Sequence, residues 1–177
     1  MARNIEIKAR IAGAARLLPK IAAVADQGPI EIRQDDTFFR CDTGKLKLRA
    51  FSKDEGELIF YRRADGGGPR ESFYLRSATS APGALRQALY LAYGVAGRVR
   101  KRRTLFIAGR TRIHLERVLG LGQFLELEVV LKKGESARSG VSEARRLMAL
   151  LGIAPSQLVE SAYVDLLAQK RAPRRGR

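Results

Sequence analysis

The chain has 177 residues, 45% of them hydrophobic and 29% charged, which suits one domain with a buried core and excludes a globally disordered polymer. Its single cysteine, Cys41, excludes an intrachain disulfide and argues against a cysteine-based zinc site. Thirty-four Lys and Arg against eighteen Asp and Glu give a net charge of +16, which points to a polyanionic partner such as phosphate groups or nucleic acid.

Taken in chain order, "NIEIKAR" (4–10) alternates polar and apolar residues with the period of a strand whose two faces differ. "AARLLPKIAAVADQ" (14–27) places Ala14, Leu17, Leu18, Ile21 and Val24 at helical spacing, with Pro19 breaking the helix in two. "PIEIRQDDTFFR" (29–40) alternates again, and "CDTGK" is a turn. "KLKLRAF" and "ELIFYRR" form a hairpin joined by "SKDEG". "ADGGGPRE" (64–71) is a flexible loop, and "SFYLRSA" (72–78) a fifth strand.

"APGALRQALYLAYG" (81–94) is a helix with Leu85, Ala88, Leu89 and Ala92 on one face. Three longer strands follow: "VAGRVRKRRTLFIAG", "TRIHLERVL" and "GQFLELEVVLKK", separated at Gly109 and "LGLG". "GESARSG" is a loop, "VSEARRLMALLGI" a helix stopped by Gly152, and "PSQLVESAYVDLLAQ" (155–169) a last helix. Strands in consecutive hairpin-like order predict an antiparallel sheet. The expected organisation is one domain over 1–169 and a disordered basic tail over 170–177, "KRAPRRGR", which holds five basic residues. No apolar run is long enough to span a bilayer as a helix, and the N-terminus does not read as a leader, so a cytoplasmic protein is expected. Oligomeric state stays open.

The strands share one property: a charged face. Glu6 with Lys8, Lys47 with Arg49, Arg112 with His114 and Glu116, and Glu126 with Glu128 each share a face opposite apolar neighbours, and Lys101 shares a face with Arg103 opposite Arg100 and Arg102. Such faces either look into water or converge inside a closed barrel with helices packed on its outer, apolar face. Glu6, Glu126 and Glu128 come from opposite ends of a chain short of acids, which favours convergence. Glu-x-Glu sets two carboxylates on one strand face about 7 Å apart. Carboxylates opposed across strands hold hard cations through oxygen, and surrounding Lys and Arg hold the phosphates such cations bridge. The sole histidine, His114, reads as a satisfied polar residue. "GGGP" lacks the Lys-Ser/Thr ending and following helix of a P-loop, and Tyr163 and Asp165 read as anchors of the last helix.

From Asn4 to about Leu167 the chain resembles the CYTH domains, also called triphosphate tunnel metalloenzymes, and is most similar to their bacterial cyclase-like branch. The resemblance is carried by the number and order of "NIEIKAR", "QDDTFF", "GKLKLR", "LIFYRR", "RVRKRR", "TRIHLE", "FLELEVV" and "SAYVDLL". It implies an α+β fold, an eight-stranded antiparallel β-barrel (a triphosphate tunnel) with helices packed outside. By position it implies Glu6, Glu126, Glu128, Glu116 and Asn4 around Mg2+ or Mn2+. It implies Lys8, Lys47, Arg49, Arg63, Lys101, Arg103 and Arg112 on the triphosphate, with Lys8 also catalytic. The implied activity is a metal-dependent triphosphatase acting on a nucleotide, thiamine or inorganic triphosphate. The alternatives are a class IV adenylyl cyclase, making cyclic AMP and pyrophosphate from ATP, and a non-catalytic phosphate- or RNA-binding module. An RNA 5′-triphosphate would suit both a tunnel and a basic exterior. Two positions depart from the family pattern: Asn4 stands where the opening motif has a Glu, and Phe38 where many relatives have a tyrosine.

Overall fold

A computed structural model of the chain describes residues 2–63 and 68–172. These residues form β1 (Ala2–Ile11), α1 (Leu18–Ala22), β2 (Gln27–Phe39), β3 (Lys45–Ala50), β4 (Gly56–Arg63), β5 (Arg70–Thr79) and α2 (Pro82–Tyr93). Then come β6 (Val95–Ala108), β7 (Thr111–Val118), β8 (Gly122–Val130), α3 (Ala137–Leu151) and α4 (Tyr163–Arg171), with single 3-10 turns at Ala14–Arg16 and Pro155–Gln157. Pro19 splits the first helical segment as expected: a 3-10 turn precedes it, and α1 carries it in its first turn, where a missing N–H costs nothing.

The strands run β1-β5-β4-β3-β2-β6-β7-β8, every neighbouring pair is antiparallel, and β1 pairs with both β5 and β8, so the order closes on itself. The expectation of consecutive hairpins needs correction. It describes β2–β5 and β6–β8, but β1 lies between β5 and β8, and β6 pairs with β2 rather than β5. The two chain extremes meet side by side, β1 against β8.

The picture of a wall made only of eight strands also needs correction, at the β1–β5 seam. That pairing covers Ala2 to Glu6 alone. Beyond it the free edge of β1 is taken by the segment after the second 3-10 turn. Ala9 bridges Leu158, the Val159 N–H donates to the Lys8 carbonyl at 2.8 Å, and the Gln157 side chain donates to the Arg10 carbonyl at 3.1 Å. The expected single helix over 155–169 is thus a short turn, an extended strap and then α4. Edge backbone groups of β1 need partners, and the strap supplies them. α4 also extends past the expected domain limit: Lys170 and Arg171 belong to it, and Lys170 donates to the Gly120 carbonyl at 2.8 Å. The remaining tail residues, 173–177, and part of the expected 64–71 loop, residues 64–67, lie outside the described residues.

Which face of each strand turns inward follows from where the helices pack. The outward side chains Ile5, Ile7, Ala9 and Ile11 of β1, Ile113 and Leu115 of β7, and Leu125, Leu127 and Val129 of β8 are buried under Ala144, Leu147, Met148 and Leu151 of α3 and Ile21 of α1. Each such large aliphatic contributes about 1.5–3 kcal/mol of burial energy, enough to commit the polar faces to the interior. A second cluster, with Phe38, Val99, Phe124 and Tyr163, packs the end of the bore nearest α4. No helix among the described residues is long and apolar enough to cross a membrane.

Gly140 sets the approach of α3 to β1. A Cβ there would lie 2.6 Å from Ile5 Cγ1 and 2.8 Å from Leu131 Cδ2, and Ile5 is fully buried. Alanine would gain about 0.8–1 kcal/mol of helix propensity but overpacking costs about 1–3 kcal/mol. Gly140→Ala is therefore expected to lower the melting temperature by about 2–4 °C per kcal/mol of net loss in a thermal melt. An unchanged or raised temperature would show that the contact relaxes freely.

Candidate active site inside the barrel

Inward side chains from all eight strands, with Ala162 and Tyr163, line one cavity of about 290 Å³. Eight Lys and Arg face it against five Asp and Glu. Charges withdrawn from water must be paired or they destabilise the fold, and here each acid is engaged by a base.

Asp36 is the hub of one half. Period two puts it on the inward face of β2 with Gln34 and Phe38, opposite Arg49 in the β3 register. Its Oδ1 accepts from Arg49 Nε at 2.8 Å, and its Oδ2 accepts from Lys47 Nζ at 2.8 Å and Arg49 Nη2 at 2.9 Å. Burial opposes its ionisation, yet Arg49 and Lys47 outweigh burial and hold Asp36 well below the ordinary carboxylate range. One negative charge serves two cations, so one cation is in surplus. The surplus falls on Lys47, because a guanidinium does not give up its proton. Burial first, then Arg49, bring Lys47 down to about 7, against the pull of Asp36.

The other half is built on β6, β7 and β8. Glu116 accepts from Lys101 Nζ at 2.7 Å and from Arg103, whose Nη2 also reaches Glu126 at 2.9 Å. Burial opposes charge on Glu116, but Arg103, Lys101 and His114 overcome it and keep the group ionised. Glu128 likewise stays ionised against burial, through His114, Arg103 and Arg112. His114 Nε2 is 3.5 Å from Glu128, and Arg112 Nη1 is 3.4 Å from it. Across β1, Glu6 pairs with Arg63 at 2.7 Å. Lys8 donates to the Ser161 carbonyl of the strap at 2.7 Å and lies 4.3 Å from the centre of the Tyr163 ring. Its burial brings it down to about 8, with Glu126 opposing.

Every basic residue singled out from the sequence, Lys8, Lys47, Arg49, Arg63, Lys101, Arg103 and Arg112, lines this cavity, as do Asn4, Glu6, Glu126 and Glu128. Glu116 does not. Its side chain is 0% exposed and sits behind Lys101 and Arg103. Sequence reasoning passed over Asp36, Glu57 and Arg76, which also line the cavity. Asp36 was visible in principle, being in phase with Gln34 and opposite in phase to Asp35. Tyr163, expected as a helix anchor, lines the cavity and packs edge-on to Phe124 at 4.8 Å. Asp165 does anchor α4, through Lys45 at 2.8 Å.

The donor set for a hard cation is partly assembled. Register sets Glu6 directly opposite Glu128, and two carboxylates so opposed repel unless a cation lies between them. The Asn4 Oδ1, two residues along β1, is buried without a partner. Among the described residues no three His, Cys, Asp or Glu side chains gather into a metal cluster; Glu6, Glu128 and Asn4 offer oxygens here, and Glu126, also lining the cavity, is engaged by Arg103.

The CYTH domain profile matches residues 2–163. The chain belongs to this family, the triphosphate tunnel metalloenzymes, whose members are triphosphate-handling enzymes. Among solved structures, the PH1012 protein of Pyrococcus horikoshii is 23% identical, with 92% of this chain and 98% of that one covered at a TM-score of 0.80. A putative adenylate cyclase of Vibrio parahaemolyticus is 16% identical over 93% and 97%, with a TM-score of 0.69. The Hippeastrum putative adenylyl cyclase HpAC1 is 13% identical over 96% and 96%, with a TM-score of 0.67. At these identities the likeness is one of fold. No curated protein sequence matches the chain significantly.

Two outcomes test the electrostatics. Asp36→Asn removes the counter-charge of both Lys47 and Arg49, and loss of one partner from a buried ion pair costs about 3–5 kcal/mol. A marked fall in denaturation midpoint, partly reversed by tripolyphosphate, is expected; an unchanged midpoint would mean the pair is solvated. The second concerns pH. Lys47 and Lys8 lie below the ordinary lysine value of 10.5 in the fold, so between about pH 7 and that value the unfolded chain binds more protons, and stability rises with pH. The ligand-free melting temperature should climb from about pH 7 to about pH 9, and Lys47→Gln should flatten that climb. Equal slopes in both proteins would remove Lys47 from the explanation.

Proposed function

We propose that the protein is a metal-dependent triphosphatase that binds a triphosphate in the barrel cavity and releases its terminal phosphate. The observation that carries this reading is the cation surplus of the cavity beside the opposed Glu6–Glu128 pair. A bound triphosphate supplies the negative charge that Asp36 alone cannot give to Lys47 and Arg49. Arg63, Arg103 and Arg112 offer forked donors for phosphate oxygens, and Lys47 and Lys101 offer point charges. Lys8, fixed by the strap carbonyl of Ser161, is the catalytic lysine of this reading: its ammonium stabilises charge on the transferring phosphoryl group.

Glu6, Glu128 and Asn4, with Glu126 beside them, would hold Mg2+ or Mn2+, which supplies charge neutralisation for the phosphates. Glu116 serves by positioning Lys101 and Arg103 rather than by ligation. In the reaction a water oxygen forms a bond to the terminal phosphorus, the bond from that phosphorus to the bridging oxygen breaks, and the diphosphate leaves. Hydrolysis is preferred over cyclisation because it requires only a positioned water and no oriented ribose. HpAC1, of the same fold, is described as a putative adenylyl cyclase with a dominant triphosphatase activity, which supports that preference.

The test is incubation with tripolyphosphate, thiamine triphosphate and ATP plus Mg2+ or Mn2+, with every product identified. Free phosphate and the matching diphosphate are expected, and Glu6→Gln or Glu128→Gln should lower kcat by about 100-fold or more. Cyclic AMP with pyrophosphate from ATP would assign the cyclase instead. Absence of turnover, with binding intact, would leave a non-catalytic module.

A further inference from the structure

The outer face of the barrel is covered unevenly. Under α3 and α1 it is apolar, but on β2, β6 and β7 it carries exposed arginines. Register places Arg33 of β2 opposite Arg102 of β6, and Arg102 opposite Arg117 of β7. All three are exposed, and they stand in one line across three adjacent strands, a span of about 10 Å at ordinary strand spacing. Like charges directly opposite each other destabilise a sheet. None of the three has an acidic partner among the described residues, and the neighbouring Asp35 is taken by Arg98 at 2.7 Å. The line borders a depression of about 310 Å³ shared with Arg100 and Leu119. Arg100 and Leu119 also border a second depression, with Lys170 and Arg171 of α4.

We propose that this outer face binds the phosphodiester backbone of a nucleic acid, separately from the barrel cavity. A single small anion needs one or two cations; a line of forked donors one strand apart suits a chain of repeated phosphates. The line holds no aromatic side chain on which bases would stack, so the contact is to backbone and indifferent to sequence. A membrane surface is disfavoured because interfacial binding needs an apolar anchor, and among the described residues that border these depressions the exposed large apolar group is Leu119.

The test is anisotropy of a 3′-labelled, short single-stranded RNA bearing a 5′-hydroxyl, which offers the cavity no triphosphate and so separates this proposal from the triphosphatase reading. Wild-type affinity should fall steeply between about 50 and 200 mM salt. The triple variant Arg33→Gln, Arg102→Gln, Arg117→Gln should bind about tenfold or more weakly, with the slope of log affinity against log salt reduced by about 2–3. Its hydrolysis of tripolyphosphate and its melting temperature should be retained, and Lys47→Gln should leave RNA binding unchanged. The proposal is overturned if the triple variant binds RNA as the wild type does, or if the wild type binds no RNA at low salt. It is equally overturned if the three arginines govern binding to phosphatidylserine vesicles and not to RNA.

Discussion

Charge held out of water must find an opposite charge, and the interior of this barrel is organised around that requirement. Eight basic side chains face a cavity that only five acidic ones share. Each carboxylate is consequently held by one or more cations. Some of the ion pairs join neighbouring strands, as Asp36 on β2 does with Arg49 on β3, and two reach past a neighbour: Glu6 on β1 to Arg63 on β4, and Arg103 on β6 to Glu126 on β8. They brace the bore across its width while leaving part of the positive charge uncompensated. Lys47, sharing Asp36 with Arg49, is where the imbalance is most evident. An anion with several charges is the natural remedy, which is why a triphosphate fits better than a neutral or singly charged ligand.

The inverted arrangement, polar within and apolar without, depends on the helices. α3 and α1 bury the outward aliphatic stripe of β1, β7 and β8, so the charged stripe has nowhere to go but inward. The strap and α4 contribute differently. The strap completes the edge of β1 where β5 stops, fixes Lys8 through Ser161, and leads into Tyr163, whose ring stands over both Lys8 and Lys101. Packing at the end of the bore and the placement of two cavity-lining lysines thus rest on one short segment.

Much of this was legible in the chain because period two is a strong signal when charged residues alternate with Ile, Leu and Val. Lys47 with Arg49 and Glu126 with Glu128 could be assigned to one face each before any coordinates, whereas Lys101 and Arg103 alternate with Arg100 and Arg102 and carry no such contrast. That these faces meet was inferred from the distribution of acids and from the family resemblance. What was not legible depends on long-range register. Glu116 shares a face with Arg112 and His114, yet its register partners are Phe124 and Arg103, and that position ties it to the cations instead of the opposed carboxylates. The strap reads as helix because "PSQLVESAYVDLL" has helical composition, and only the unpaired edge of β1 makes an extended conformation preferable. Asp36 was hidden beside Asp35, one of the pair turned inward and the other outward.

The most direct examination of this picture is calorimetric titration of tripolyphosphate into the protein with and without Mn2+, on the wild type and on Glu6→Gln/Glu128→Gln. If the opposed carboxylates hold the cation that bridges the phosphates, Mn2+ should tighten binding to the wild type by about tenfold or more, a coupling of at least about 1.4 kcal/mol, and should do nothing for the double variant. Equal tightening in both proteins, or none in either, would mean that the acids serve only to pair the arginines and lysines around them.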